Sequence, residues 1–172
     1  MIRPTHMVSG FLMAVVVAAV AATVTADSPT TVQVRDDCDP ATFNLPPPDG
    51  AGPGVCADNF DGDTTFPDFI DQVIANQSVD KWRFNPDRVD EPRTLVARNR
   101  GGETHTFTKV EKFGGSIVPP LNHLLGDPAV PAECGAAAFL PPGASSTPIA
   151  AKAGDKFQCC IHPWMRTTVR NR

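Results

Sequence analysis

Polar and apolar residues alternate in Thr31-Val32-Gln33-Val34-Arg35, the period of two expected of a strand with one buried face. The period then changes: Phe66, Phe69, Ile70, Val73 and Ile74 recur at helical spacing. Thr65 is placed to cap that helix and Pro67 falls in its first turn, where a missing N–H costs nothing. Between these two segments, Asp39 to Gly54 is rich in Pro and Gly and reads as a loop. From Lys81 onward the apolar runs are short: Trp82 to Phe84, Thr94 to Arg98, Phe107 to Val110, Lys156 to Cys159 and Thr167 to Arg170. Gly and Pro connections separate them, including Pro119-Pro120 and Pro141-Pro142-Gly143. Short strands divided by turn signals predict an all-β sandwich. Residues 27–80 form an N-terminal strand with a loop and helix elaboration, residues 81–172 form the core, and Glu111 to Pro142 is expected to wrap one edge.

The first 26 residues follow another pattern. Arg3 and His6 precede an apolar run from Phe11 to Val24, which ends in Val24-Thr25-Ala26. This is the pattern of a cleaved signal peptide, and the run is shorter than the roughly 20 residues that span a bilayer. Retention of the segment as an anchor is the alternative. Export to the periplasm or beyond places residues 27–172 in an oxidising compartment, as one domain with no stable membrane insertion. Without Arg3, the 15 Lys plus Arg become 14 against 19 Asp plus Glu. A mildly acidic chain with no basic stripe is a poor nucleic-acid binder. The acidic turn with Asp58, Asp61, Asp63 and Asp68 fails as a calcium loop: with Gly62 sixth, the first position is Ala57 and the twelfth is Asp68.

Chemistry concentrates near the C-terminus. Phe157-Gln158-Cys159-Cys160-Ile161-His162-Pro163-Trp164-Met165 sets a thiol, an imidazole and a thioether in one short loop. A blue-copper site takes two His and one Cys, with a weak axial Met. His6 falls in the signal segment, so the second imidazole comes from His105 or His123. His105 follows a Gly-rich connection and enters a strand, where backbone on both sides can aim it; His123, in Pro119-Pro120-Leu121-Asn122-His123, has no such frame.

These two segments resemble those of the cupredoxins, the small blue-copper proteins that include plastocyanin, azurin and amicyanin. A CxxHxxM loop with Pro directly after the His is closest to the amicyanin spacing. The chain from 27 on is also similar to secreted bacterial cupredoxin-domain proteins with a cysteine-bearing N-terminal region. The resemblance covers roughly residues 81–172 and implies a Greek-key β-sandwich, here with a short helical, disulfide-bearing N-terminal elaboration. It makes His105, Cys159, His162 and Met165 the ligands of one copper ion, choosing Cys159 over Cys160 because CxxH matches the family's spacing. It further implies that Asn99 braces the two ligand loops. His162 would be the solvent-facing ligand, ringed by an apolar partner patch that includes Pro163 and Trp164.

Five cysteines are an odd number for an exported chain, and a metal thiolate accounts for the odd one. The other four, Cys38, Cys56, Cys134 and Cys160, permit three pairings. Locality favours Cys38 with Cys56 and Cys134 with Cys160. The expected function is one-electron transfer between redox partner proteins by a monomeric, non-enzymatic type 1 copper protein. Copper delivery without redox turnover, and a metal-free disulfide-stapled interaction module, are the other two readings. One domain is too short for the several that a multicopper oxidase assembles.

Overall fold

The computed structural model describes residues 28–91 and 93–171. The expected signal peptide, residues 1–26, lies outside them. Among the described residues no helix is long and apolar enough to cross a membrane.

The alternating segment forms β1 (Thr30–Arg35), with Val32 and Val34 fully buried. The Pro/Gly-rich stretch after it is more ordered than expected. Asp39 caps a short helix, α1 (Pro40–Phe43), by accepting from the Ala41 amide at 2.9 Å. The predicted amphipathic helix is α2 (Phe66–Asn76), with Thr65 Oγ1 accepting from the Asp68 amide. Gln77, at φ 54°, ends it in the left-handed conformation.

The strands that follow are β2 (Arg83–Asn85), β3 (Arg88–Asp90), β4 (Thr94–Asn99), β5 (His105–Thr106) and β6 (Thr108–Val110). The long connection then carries α3 (Pro119–Leu124), a 3₁₀ turn (Ala132–Ala136) and β7 (Phe139–Leu140). Last come β8 (Ile149–Ala150), β9 (Lys156–Gln158) and β10 (Arg166–Arg170).

The result is a β-rich fold built on mixed sheets. One runs in the order β2-β1-β4-β8, with β1 and β4 parallel; the other runs β3-β10-β9-β6, with β10 and β3 parallel. A two-stranded sheet pairs β5 with β7. The two larger sheets share one core. Phe84 of β2 meets Phe107 edge-on at 5.1 Å, and Phe107 stacks at 4.6 Å on Phe157 of β9. The elaboration is fastened to this core in two ways. Phe69 and Val73 of α2 are buried, with Phe69 packed on Phe43 and Trp82, and burial of each such side chain contributes about 1.5–3 kcal/mol. The Cys38–Cys56 disulfide closes the loop, and Asn44 exchanges two hydrogen bonds with the backbone of Cys56. A second disulfide, Cys134–Cys160, ties the long connection to the residue after β9's ligand-bearing end. Both pairings are the ones that locality favours, and Cys159 is left as a free, buried thiol.

Candidate metal centre

Three chain segments meet where β1, β4 and β9 end. Because β1 and β4 run parallel, with Val34 opposite Asn99, they end side by side. Asp36, just past β1, therefore faces the turn that leads from β4 to β5. Its carboxylate accepts from the amides of Gly102 (2.8 Å) and Glu103 (3.1 Å). That turn delivers His105 into β5, opposite Leu140 of β7. From the other side, residues 159–165 form the loop of the β9–β10 hairpin. Cys159 N donates to Met165 O, Met165 N donates to His162 O (both 3.0 Å), and His162 N donates to the Cys159 sulfur at 3.5 Å.

These constraints bring three donor atoms together. Cys159 Sγ lies 3.8 Å from His105 Nδ1 and 4.0 Å from His162 Nδ1, and the two Nδ1 atoms are 3.3 Å apart. His105 and Cys159 are fully buried and His162 nearly so. A metal bound at about 2.0–2.1 Å to nitrogen and about 2.3 Å to sulfur separates its donors by roughly 3.3–3.8 Å. The three residues thus fit a metal ion with shifts of a few tenths of an ångström, and His105, Cys159 and His162 could hold one. Met165, in the same loop, is buried in the core.

Each imidazole has a carboxylate behind it. His105 Nε2 is 2.6 Å from Asp36 Oδ2, and His162 Nε2 is 3.6 Å from Glu103 Oε2. Glu103 Oε2 also accepts from Trp82 Nε1. The hydrogen bond to Asp36 fixes the His105 tautomer and directs its Nδ1 inward, whereas Glu103 acts on His162 across a longer, charge-pairing distance. A second group, Asp36, Glu103 and His105, also lies within metal-binding distance, but its carboxylates are engaged by the backbone amides and by Trp82.

The charges follow from this packing. Burial pushes the Cys159 thiol up, but contact with His105 and His162 outweighs it and holds the group well below 9.0. Burial pulls His105 down, yet its bonds to Asp36 and Cys159 raise it to about 10. Asp36 is lowered because His105 and two amides overcome its desolvation. Glu103 is raised because burial prevails over the attraction of His162. The contacts with the two imidazoles favour the thiolate form of Cys159, the form that binds metal ions.

Several sequence expectations need correction here. His162 is not solvent-facing: α2 lays Phe69 against it at 6.1 Å, ring edge to face, and Trp164 packs beside it at 5.5 Å. Pro163 is buried and Trp164 only partly exposed, so the expected patch around an open His edge is covered by the elaboration. Asn99 braces one loop instead of two. Its Nδ2 donates to Glu103 O (2.7 Å) and Leu140 O (2.8 Å), and its Oδ1 accepts from Gly101 N; among the described residues it makes no hydrogen bond to the 159–165 loop. Bonds joining the two candidate-ligand segments come from Thr106, whose Oγ1 accepts from Cys160 N at 2.7 Å and whose N donates to Cys159 Sγ at 3.4 Å. His123 sits exposed on α3, 3.0 Å from Asp127. Asp36, Glu103, Trp82 and Thr106 were not singled out by sequence. For Asp36 the one available signal is an acidic residue at the end of an alternating strand, which could equally have been a turn residue.

Neither protein-family models nor curated proteins give a match to this chain.

Proposed function

We propose that this chain is an exported type 1 copper protein of the cupredoxin kind, a Greek-key sandwich that carries one electron at a time between partner proteins. The observation that carries the reading is the convergence of His105 Nδ1, Cys159 Sγ and His162 Nδ1 within 4.0 Å of one another in a buried pocket. Two imidazoles and a thiolate, with Met165 in the same loop, make the donor set suited to copper; a thioether has little place in a structural zinc site. Copper held there supplies a one-electron couple between Cu(I) and Cu(II).

The chain's own residues support that role. Asp36 orients the His105 imidazole, Glu103 places a carboxylate near His162, the Thr106 bond to Cys160 fixes one ligand segment on the other, and the disulfide to Cys134 anchors the same residue from behind. Two disulfides agree with an oxidising compartment. Burial of all three donors favours slow metal exchange, and hence electron transfer over delivery. Trp164, partly exposed and packed on His162, is the edge through which we expect electron exchange with a redox partner.

The test is titration of the protein with Cu(II), followed by visible absorption and EPR, beside the Cys159→Ser variant. An intense thiolate-to-copper band with narrow copper hyperfine splitting, both lost in the variant, is expected. A colourless protein with unchanged EPR of free copper would overturn the reading.

A further inference from the structure

The helical elaboration covers His162 but does not fill the space beside it. Residues of the 47–55 loop, α2 and α3 line a partly open cavity of about 580 Å³. Small-molecule sites span roughly 300–1,000 Å³ and combine apolar walls with a few fixed polar groups. Phe66, Phe69, Ile70, Val118, Leu121 and Ile161 are among the walls, and the polar side chains that reach it are those of Glu103, Thr104 and His162. No Lys or Arg lines it.

Glu103 is only partly used by the fold. Its Oε2 takes Trp82 Nε1 and faces His162, while Oε1 has no hydrogen-bond partner among the described residues. A carboxylate oxygen without a protein partner, on a residue that lines an apolar cavity, is an acceptor open to a ligand's donor. We propose that this cavity binds a small phenol-class molecule, its ring among the Phe and aliphatic walls and its hydroxyl donating to Glu103 Oε1. The lining disfavours an anion, which would enter without a cation to meet it and would face Glu103. A purely apolar ligand would leave the carboxylate oxygen unpaired. The volume takes a single ring with an alkyl tail with room to spare.

The proposal does not rest on the copper reading, because no wall of the cavity needs the metal. It is tested by calorimetric titration of the full chain with 4-ethylphenol, ethylbenzene and 4-ethylbenzoate, with and without one equivalent of copper. Saturable one-to-one binding of 4-ethylphenol is expected in both states. Ethylbenzene should bind up to about tenfold more weakly, as loss of one hydrogen bond implies, and 4-ethylbenzoate should not bind. Two variants locate the site. Ala51→Trp places an indole in the cavity from an exposed position on its rim and should abolish binding with the melting temperature unchanged. Glu103→Met, of similar length but with no acceptor oxygen, should erase the preference for the phenol over ethylbenzene. Absence of saturable 4-ethylphenol binding, undiminished binding in Ala51→Trp, or a preference untouched by Glu103→Met would each overturn the proposal.

Discussion

His105 and Asp36, 69 residues apart in the chain, meet through a 2.6 Å contact from which both side chains see no solvent. The parallel pairing of β1 with β4 makes the meeting possible, since only strands that end together can present a residue past one to the turn after the other. The contact settles which nitrogen of His105 faces Cys159. Replacing Asp36 with Asn keeps the shape but removes the charge, and outer partners of this kind are worth about 10–100-fold in metal affinity. Asp36→Asn is expected to weaken metal binding by that factor in competition with a chelator. An unchanged affinity would mean that the carboxylate serves only to hold the turn.

Gly101 reports on the same contact from the backbone side. A methyl group there would overlap the Asp36 carboxylate and come within 2.8 Å of the Asp36 nitrogen. Backbone cannot yield as a flexible side chain would, so the turn or Asp36 must move. Gly101→Ala is expected to cost about 1–3 kcal/mol, the usual range for overpacking, in urea denaturation. It should also weaken metal binding in the same direction as Asp36→Asn.

The thiol inventory gives a direct check of the cysteine assignment. Two disulfides and one free thiol are present, and that thiol is fully buried. A thiol reagent should find no reactive group in the folded protein and one per chain in denaturant, rising to five only after reduction. A chain with no thiol in denaturant would put Cys159 in a disulfide and remove the thiolate ligand.

How much of this was legible beforehand depends on sequence distance. The loop from Cys159 to Met165 and the helix with its Thr65 cap are local patterns, and spacing alone reads them. Odd cysteine arithmetic and locality likewise reach the observed disulfides. What spacing does not carry is the partnership of groups from distant strands. Asp36 acquires its role only when β1 lies against β4, and Glu103 only when Trp82 and His162 arrive from elsewhere. Asn99 shows the same limit in reverse, since its position suggests a brace between two loops while its actual acceptors, at residues 103 and 140, depend on β7 pairing with β5. The short strands β7 and β8, two residues each, carry no period that could reveal them.

Phe69 is where fold stability and access to the site are coupled. Its ring touches Phe43, Trp82, Trp164 and His162, at centroid distances from 5.0 to 6.1 Å. Truncation to Ala should cost about 3–5 kcal/mol, as for other buried Phe residues. It should also open the His162 edge, so that bound metal is lost to a chelator faster than in the parent protein. If stability falls while the rate of metal loss is unchanged, Phe69 is core packing and the cover over His162 lies elsewhere.

Asp155 offers a pH test outside the candidate site. Its Oδ2 accepts from Lys109 Nζ at 2.6 Å and from Lys152 N at 2.8 Å. Desolvation works to raise its pKa, but the Lys109 bond and the backbone amide prevail and hold it below 3.8. A carboxylate whose folded pKa is depressed adds stability above its unfolded value, and this is lost as pH falls through the folded value. Lys109 is 44% exposed, so the ion pair itself contributes little, and most of the effect comes from hydrogen bonds at about 1 kcal/mol each. Asp155→Asn should therefore be less stable than the parent by about 1–2 kcal/mol at neutral pH. The gap should begin to narrow below about 3.8, where the unfolded chain takes up the proton, and reach its minimum once the pH has fallen through the lower folded value, where the folded parent also carries a neutral Asp155. Urea midpoints across that range decide it: a gap that stays constant with pH would mean that the variant loses packing and not charge.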